Sequence, residues 1–335
     1  MLDNLKSLCE LNATSGDELS VREFIIGQIK DYCDIKTDNL GNLICFKKGK
    51  KTPKKRIMLD AHMDEIGFII KSVTPEGFIK FTNVGGIDTS VLIARRVLIE
   101  NRIYGVIGCK PFHLASGEER KRLPKSENLY IDIGASSRRE AEEFVSVGDR
   151  AVICSEYSKI GDKIISKALD DRIGCAILVD IIKNFDEYDF YAVFSTREEV
   201  GGGGAKVATF TINPDSAIVL EGTTAADIAD VPKVKQVCVL GEGVAVSFMD
   251  RMTVYDRDYY NYALNSGIKC QPKSAVAGGN NSGVIHLSRD GVKTIALSVP
   301  CRYIHSANSI ADANDILSAR QLAEYVLIGI AEGKV

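Results

Sequence analysis

The chain has 335 residues, 45% hydrophobic and 26% charged, with 42 Lys and Arg against 45 Asp and Glu and a net charge of −3. That length suits one large domain or two, and the composition is that of a globular protein. The slight negative balance excludes a global attraction to nucleic acid or an anionic membrane, and no apolar run is long enough to span a bilayer.

The first residues, Met1-Leu-Asp-Asn-Leu-Lys6, lack the basic start and apolar core of a secretory signal, so the expected location is cytoplasmic. The nine cysteines are scattered, mostly inside apolar runs, with no CxxC pair, which reads as buried free thiols in a reducing compartment. Ser15-Gly-Asp-Glu18 has the capping-box pattern and opens a helix with the stripe Val21, Phe24, Ile25, Ile29 and Tyr32. Asn39-Leu-Gly-Asn42 marks a hairpin turn. Lys47 to Arg56 is a basic connection without interleaved aromatics, a solvated loop and not a nucleic-acid contact.

An apolar strand, Ile57–Asp60, precedes a change of texture. From about Ile66 to Ile160 short alternating runs are separated by turn residues: Ile69–Val73, Phe78–Phe81, Val97–Ile99 and Ile103–Ile107. This spacing predicts a small all-β unit, with the charged stretch SGEERKRLPKSEN (116–128) as a loop. From Gly161 onward helix-like and strand-like runs alternate: helix 173–185, strands 190–195 and 217–220, helix 253–265, strand 294–299 and helix 315–331. That is α/β layering. The early strand ends in polar residues as the later ones do, so the β unit reads as an insertion at 67–160 within one α/β domain formed by 1–66 and 161–335.

The polar residues at the strand ends carry the chemistry. His62 and Asp64 follow the first strand, Glu198 and Glu199 follow Tyr191–Ser195, Glu221 ends Ala217–Leu220, and His305 follows Ile295–Val299. Ends of buried strands are where α/β enzymes place their sites, and oxygen and nitrogen donors are those of a hydrolytic zinc centre. Each feature has a plainer account when taken alone. His62 and Asp64 can be a surface pair, Asp170-Asp171 a helix cap, Glu198-Glu199 a charged turn. Together they favour a metal site, with Asp64 orienting His62 and Asp170 bridging. If both glutamates serve one site, the backbone there must leave strand geometry, which Gly201–Gly204 permits. Two divalent ions would bring four positive charges, matched by Asp170, Glu199, Glu221 and an ionised Glu198. His286 reads as a core or capping residue and His113 as part of the β unit.

The segments AHMDEIGFII (61–70), VGDRAV (147–152), ALDDRIG (168–174), TREEVGGGGA (196–205) and GVIHLSRDGVKTIALSVPCRYIHS (283–306) resemble, in order, the TET-type glutamyl and leucyl aminopeptidases of metallopeptidase family forty-two. The resemblance implies a three-layer mixed-sheet di-metal peptidase domain with an inserted β-barrel-like domain used in assembly. It also implies a cytoplasmic homo-oligomer, from dimer to dodecamer, acting on peptides. The cofactors would be two divalent ions per subunit, zinc first, with cobalt or manganese as alternatives. Carried over position by position, His62 and Glu221 each hold one metal, Asp170 bridges, and Glu199 and His305 complete the second centre. Glu198 is the general base for a water shared by the two metals, and Asp64 orients His62. A cis peptide after the bridging aspartate is also implied. The chain departs from the common pattern at Glu221 (usually Asp), Asn280-Asn281 (usually Thr-Asp) and Cys301 (usually Thr). The rival readings are a metal-dependent amidohydrolase of acylated amino acids and an endoglucanase working through paired carboxylates.

Overall fold

The computed structural model describes residues 1–276 and 278–335. The core is a mixed sheet of 11 strands among the described residues. Its centre is four strands in parallel, in the order Phe190–Ser195, Ile57–His62, Ser216–Thr224 and Lys293–Arg302. Antiparallel strands flank them: Leu43–Lys47 and Asp34–Thr37 on one side, Ser309–Asp312, Lys163–Ser166 and Ser158–Ile160 on the other. Parallel strands covered on both faces read as unbroken apolar runs, and every residue of Ile57–His62 is buried.

Alternation along these strands sorts side chains into two helical layers. Ile57, Leu59 and Ala61 face the larger core, with helices Leu2–Glu10, Leu19–Ile29, Leu169–Asn184 and Ala313–Glu332. Met58, Val193, Val219 and Ala296 face the opposite core, under helices Gly203–Ile212 and Ser282–Ile285. No helix among the described residues is long and apolar enough to cross a membrane.

The segment between the first parallel strand and the helix Leu169–Asn184 closes a six-stranded antiparallel barrel: Gly67–Val73, Ile79–Val84, Tyr130–Asp132, Ile103–Gly108, Arg96–Ile99 and Arg150–Ile153. Phe68, Ile70, Phe81, Val97, Ile107 and Ile131 fill its interior. The barrel strands end at Ile153. Ser158–Ile160, which the sequence reading assigned to the insertion, hydrogen-bonds into the large sheet instead.

Three local expectations change. The strand holding Glu221 continues to Thr224, so Glu221 lies within it and not at its end. The helix expected from Thr253 starts at Arg257, because the Asp256 carboxylate accepts the amides of Asp258 and Tyr259. The capping box before Leu19 does not form. The Ser15 hydroxyl donates to Asp64 at 2.6 Å, and Glu18 accepts from the Gly16 and Arg197 amides. Both residues serve the cleft described next.

Candidate metal centre

The four parallel strands end on the same edge of the sheet, and each delivers a side chain there. Register does the alignment. Ser195 lies beside His62, and Val219 lies beside Asp60, so two residues further Glu221 comes level with His62 on the same face. Asp170 arrives from the start of helix Leu169–Asn184, where the Asp170–Asp171 peptide is cis as the resemblance implied.

His62 Nε2 lies 3.2 Å from Glu221 Oε1, 3.5 Å from Asp170 Oδ1 and 4.0 Å from Glu198 Oε2. His305 Nε2 lies 3.4 Å from Asp170 Oδ2 and 3.4 Å from Glu199 Oε2. Two triads result, His62–Asp170–Glu221 and Asp170–Glu199–His305, each with donor atoms within 4.8 Å of one another. Asp170 belongs to both and turns a different oxygen to each. All the residues singled out from the sequence meet here. His286 does not: its Nδ1 bonds the Ser282 carbonyl at a helix end, a capping role. His113 is exposed in the barrel's long loop.

Asp64 organises the cleft. It is fully buried; its backbone carbonyl oxygen lies 3.1 Å from His62 Nδ1, and its Oδ1 lies 3.3 Å from the same nitrogen and accepts the Glu198 amide at 3.0 Å. Its Oδ2 accepts the Glu199 amide at 3.2 Å and the Ser15 hydroxyl. One residue thus holds the histidine ring, through its backbone carbonyl with the carboxylate beside it, and both glutamate backbones, through the carboxylate. Strand geometry is left at Arg197 (φ 59) and resolved through Gly201 and Gly202, both at positive φ, so neighbouring glutamates can point into one cleft. Asp171 adds support by accepting the His62 amide at 3.2 Å and the Gly174 amide at 2.8 Å.

Charge and burial act strongly on these groups. Burial alone would lower His62, but the negative charge of Glu221, Asp170 and Asp64 raises it well above its ordinary value. Burial, with repulsion from Asp170 and Asp64, pushes Glu198 up to about 7, and burial with Asp170 and Glu198 takes Glu199 to about 8. Glu221 is raised far above the carboxylate range by burial and by Asp170. For Asp170 burial is outweighed by His305 and His62, which hold it low. For His305 burial is outweighed by Asp170 and Glu199, and it reaches about 9. The acids crowd one another and compete for positive charge, whether protons or cations. His62 Nε2 and Glu221 Oε2 are buried without a hydrogen-bond partner. Buried polar atoms are normally satisfied, so two orphans in one triad of hard and borderline donors fit a divalent ion.

Sequence reasoning missed several supporting groups. Glu65 accepts from buried Lys167 at 2.7 and 2.8 Å and from fully buried Arg172 at 3.3 Å. Asn281, one of the departures noted above, donates to Asp60 at 2.8 Å and to Ser195 at 2.9 Å beneath the cleft. No local pattern announces these pairings. The available hint was charged residues in or beside the motif segments: Glu65 and Arg172 within them, Asp60 and Lys167 one residue before them.

Fold and site define a class: a three-layer α/β protein with an inserted barrel, gathering the His and carboxylate donor set used by two-metal hydrolases. The sequence matches the M42 glutamyl aminopeptidase family over residues 41–322, and the chain belongs to that family. It is 39% identical to an Acetivibrio thermocellus protein whose name as an aminopeptidase is provisional, over 96% of this chain and 97% of that one. Among solved structures, a TET aminopeptidase from a marine-sediment archaeon of the Thaumarchaeota superposes with a TM-score of 0.94 at 30% identity, covering 100% and 98% of the two chains. A TET1 peptidase of Pyrococcus horikoshii, described as assembling into a tetrahedron or a large octahedral shell, gives a TM-score of 0.84 at 35% identity over 97% and 98%.

Proposed function

We propose that this chain is a metal-dependent aminopeptidase that removes N-terminal residues from peptides. In this reading His62 and Glu221 hold one divalent ion, Glu199 and His305 hold a second, and Asp170 lies between them. The observation that carries it is the two-sided Asp170, whose oxygens serve separate triads. Bound divalent ions supply Lewis-acid polarisation of the scissile carbonyl and lower the pKa of water from about 16 to about 7.

Glu198 stands at the mouth of the cleft, 17% exposed, beside both triads. It takes the proton of the attacking water and passes it to the leaving amine. Asp64 fixes the His62 ring and places the Glu198 backbone, so it is a positioning residue. The substrate's free ammonium group would pair with site carboxylates.

Zinc is the first expectation for the ions, with cobalt and manganese compatible with the same donors. The α/β portion carries the chemistry, and the inserted barrel, whose strands run from Gly67 to Ile153, serves assembly. A homo-oligomer is inferred from the likeness to the TET1 peptidase. A cytoplasmic location, without nucleic-acid or membrane partners, accords with the charge balance.

The test is metal-stripped and reloaded enzyme on aminoacyl amides, N-acylated amino acids and cello-oligosaccharides, with and without chelator. Aminoacyl amides should be cleaved only by the loaded enzyme, and N-terminal blocking should abolish cleavage. Glu198→Gln should keep both ions yet lose at least about 100-fold in rate. Near-normal turnover in that variant would remove Glu198 from the role. Chelator-resistant cleavage of cello-oligosaccharides would overturn the peptidase reading.

A further inference from the structure

The two histidines of the cleft are held in different ways. His62 is 1% exposed, and its Nδ1 bonds the backbone carbonyl of Asp64, from its own segment of the α/β domain, at 3.1 Å. His305 is 36% exposed and follows a turn with Tyr303 at φ 59 and itself at φ 58. Its Nδ1 lies 2.9 Å from the carbonyl oxygen of Gly86, which belongs to the barrel. That carbonyl sits in the loop after strand Ile79–Val84, which turns at Gly85 with φ 83. A Cβ on Gly85 would lie 3.2 Å from both Cβ and Oε2 of Glu199 and 2.8 Å from Cγ2 of Ile66. The loop backbone therefore packs directly on the Glu199 side chain, at a distance only glycine permits. On the barrel side Asn83 donates to the Ile87 carbonyl at 3.2 Å, and Asp88 accepts the Ser90 amide at 2.7 Å, which tie the loop down.

We propose that Gly85–Gly86 is a positioning element for the Asp170–Glu199–His305 triad, so that the barrel completes one of the two cation centres. The Gly86 carbonyl accepts the Nδ1–H of His305, so Nε2 is the nitrogen that faces the triad and would give up its proton to a bound cation. Gly85 lets the loop approach closely enough for that bond while Glu199 keeps its place. The His62 centre receives no such contribution. This inference rests on the two-metal reading above.

The experiment is calorimetric titration of stripped enzyme with zinc, comparing wild type, Gly85→Ala and Gly134→Ala. Gly134 is also in the barrel segment at positive φ (81), but a Cβ there meets nothing within 4 Å, so it reports backbone strain alone. Wild type should bind two ions per subunit. Gly85→Ala should retain one at near-normal affinity and lose at least tenfold on the other, and Gly134→Ala should change neither by more than threefold. Equal affinities in Gly85→Ala and wild type, or equal weakening of both ions, would overturn the inference. Wild type that binds no zinc would instead overturn the two-metal reading. Should Gly85→Ala not fold, imidazole nitrogen NMR of loaded wild type decides. With four histidines in the chain, the His305 signal is assigned by His305→Gln. A protonated, slowly exchanging Nδ1 supports the role of Gly86, and a deprotonated Nδ1 refutes it.

Discussion

Asp64→Asn changes one atom and should disable the cleft. Three donors converge on this carboxylate, the Ser15 hydroxyl at 2.6 Å, the Glu198 amide at 3.0 Å and the Glu199 amide at 3.2 Å, and His62 Nδ1, which bonds the Asp64 backbone carbonyl at 3.1 Å, lies 3.3 Å from it. An asparagine keeps one acceptor oxygen and adds an NH₂ with no acceptor role. With its oxygen towards Ser15 and Glu199, the NH₂ confronts the Glu198 amide and the His62 ring. Flipped, it confronts the Glu199 amide. Either way a buried backbone N–H loses its partner, at about 1–3 kcal/mol, and the remaining bonds lose their charge assistance, worth about 1.5–3 kcal/mol each at full strength. The folding loss should be about 3–5 kcal/mol.

Function should fall as well. The carboxylate is the charged one of two Asp64 groups beside His62 Nδ1; losing such a partner of a metal-binding histidine costs roughly 10–100-fold in metal affinity, and here the same change loosens the backbone of the general base. Denaturant unfolding of stripped protein measures the first effect, zinc titration the second, and kcat/KM at saturating metal the third, where at least a 100-fold drop is expected. Stability within about 1 kcal/mol of wild type, with metal affinity within threefold, would refute the organising role assigned to Asp64.

Two further outcomes follow from buried charge. Glu65→Gln leaves Lys167 and Arg172 facing a neutral amide, and a broken buried ion cluster of this kind typically costs about 3–5 kcal/mol; denaturant midpoints unchanged from wild type would contradict it. The stripped protein should lose stability as pH rises from 5 to 9. Glu198, Glu199 and His305 all have folded pKa values raised above their ordinary ones, to about 7, 8 and 9. Each therefore stabilises fully below its unfolded pKa and loses that contribution as pH climbs through the folded value. Glu198 alone accounts for on the order of 3 kcal/mol, or a drop of roughly 4 °C in Tm for a chain of 335 residues. Zinc should flatten the profile by taking the place of the protons. A flat or rising Tm across this range in chelator would show that the acids are not crowded as described.

What the sequence disclosed depended on whether the signal was local. Strand Phe190–Ser195 was legible to the residue, because an apolar run stops at a polar turn and both faces are covered. The cleft residues were legible for the same reason: each marks the place where such a run gives way. Ser15 and Glu18 were misread because a four-residue pattern that caps helices was satisfied by Asp64 and Arg197 instead, 49 and 179 residues away. The bond from His305 to Gly86 spans 219 residues and involves a backbone carbonyl, which has no signature in side-chain identity.

The insertion point explains why so much of the support was hidden. The chain leaves for the barrel at Gly67, three residues after Asp64, and the cleft's next donor, Asp170, follows only after the return. Glu65 stands before the exit and Lys167 and Arg172 after the return, and their buried ion cluster ties the two ends of the excursion together. The Ala13 amide donates to Glu65 at 3.0 Å, and Gly67 packs against Thr14, so the N-terminal segment seals the same seam. An insertion anchored this close to the chemistry cannot shift without moving His62 and Asp170 relative to each other. The charged residues flanking the barrel thus fix the geometry of the first triad, while the Gly85–Gly86 loop reaches back to the second. On this argument the ion cluster outside the barrel's two ends holds the first triad and the barrel's loop holds the second, so replacing the barrel with a short linker should cost metal affinity chiefly at the His305 centre where the α/β core still folds.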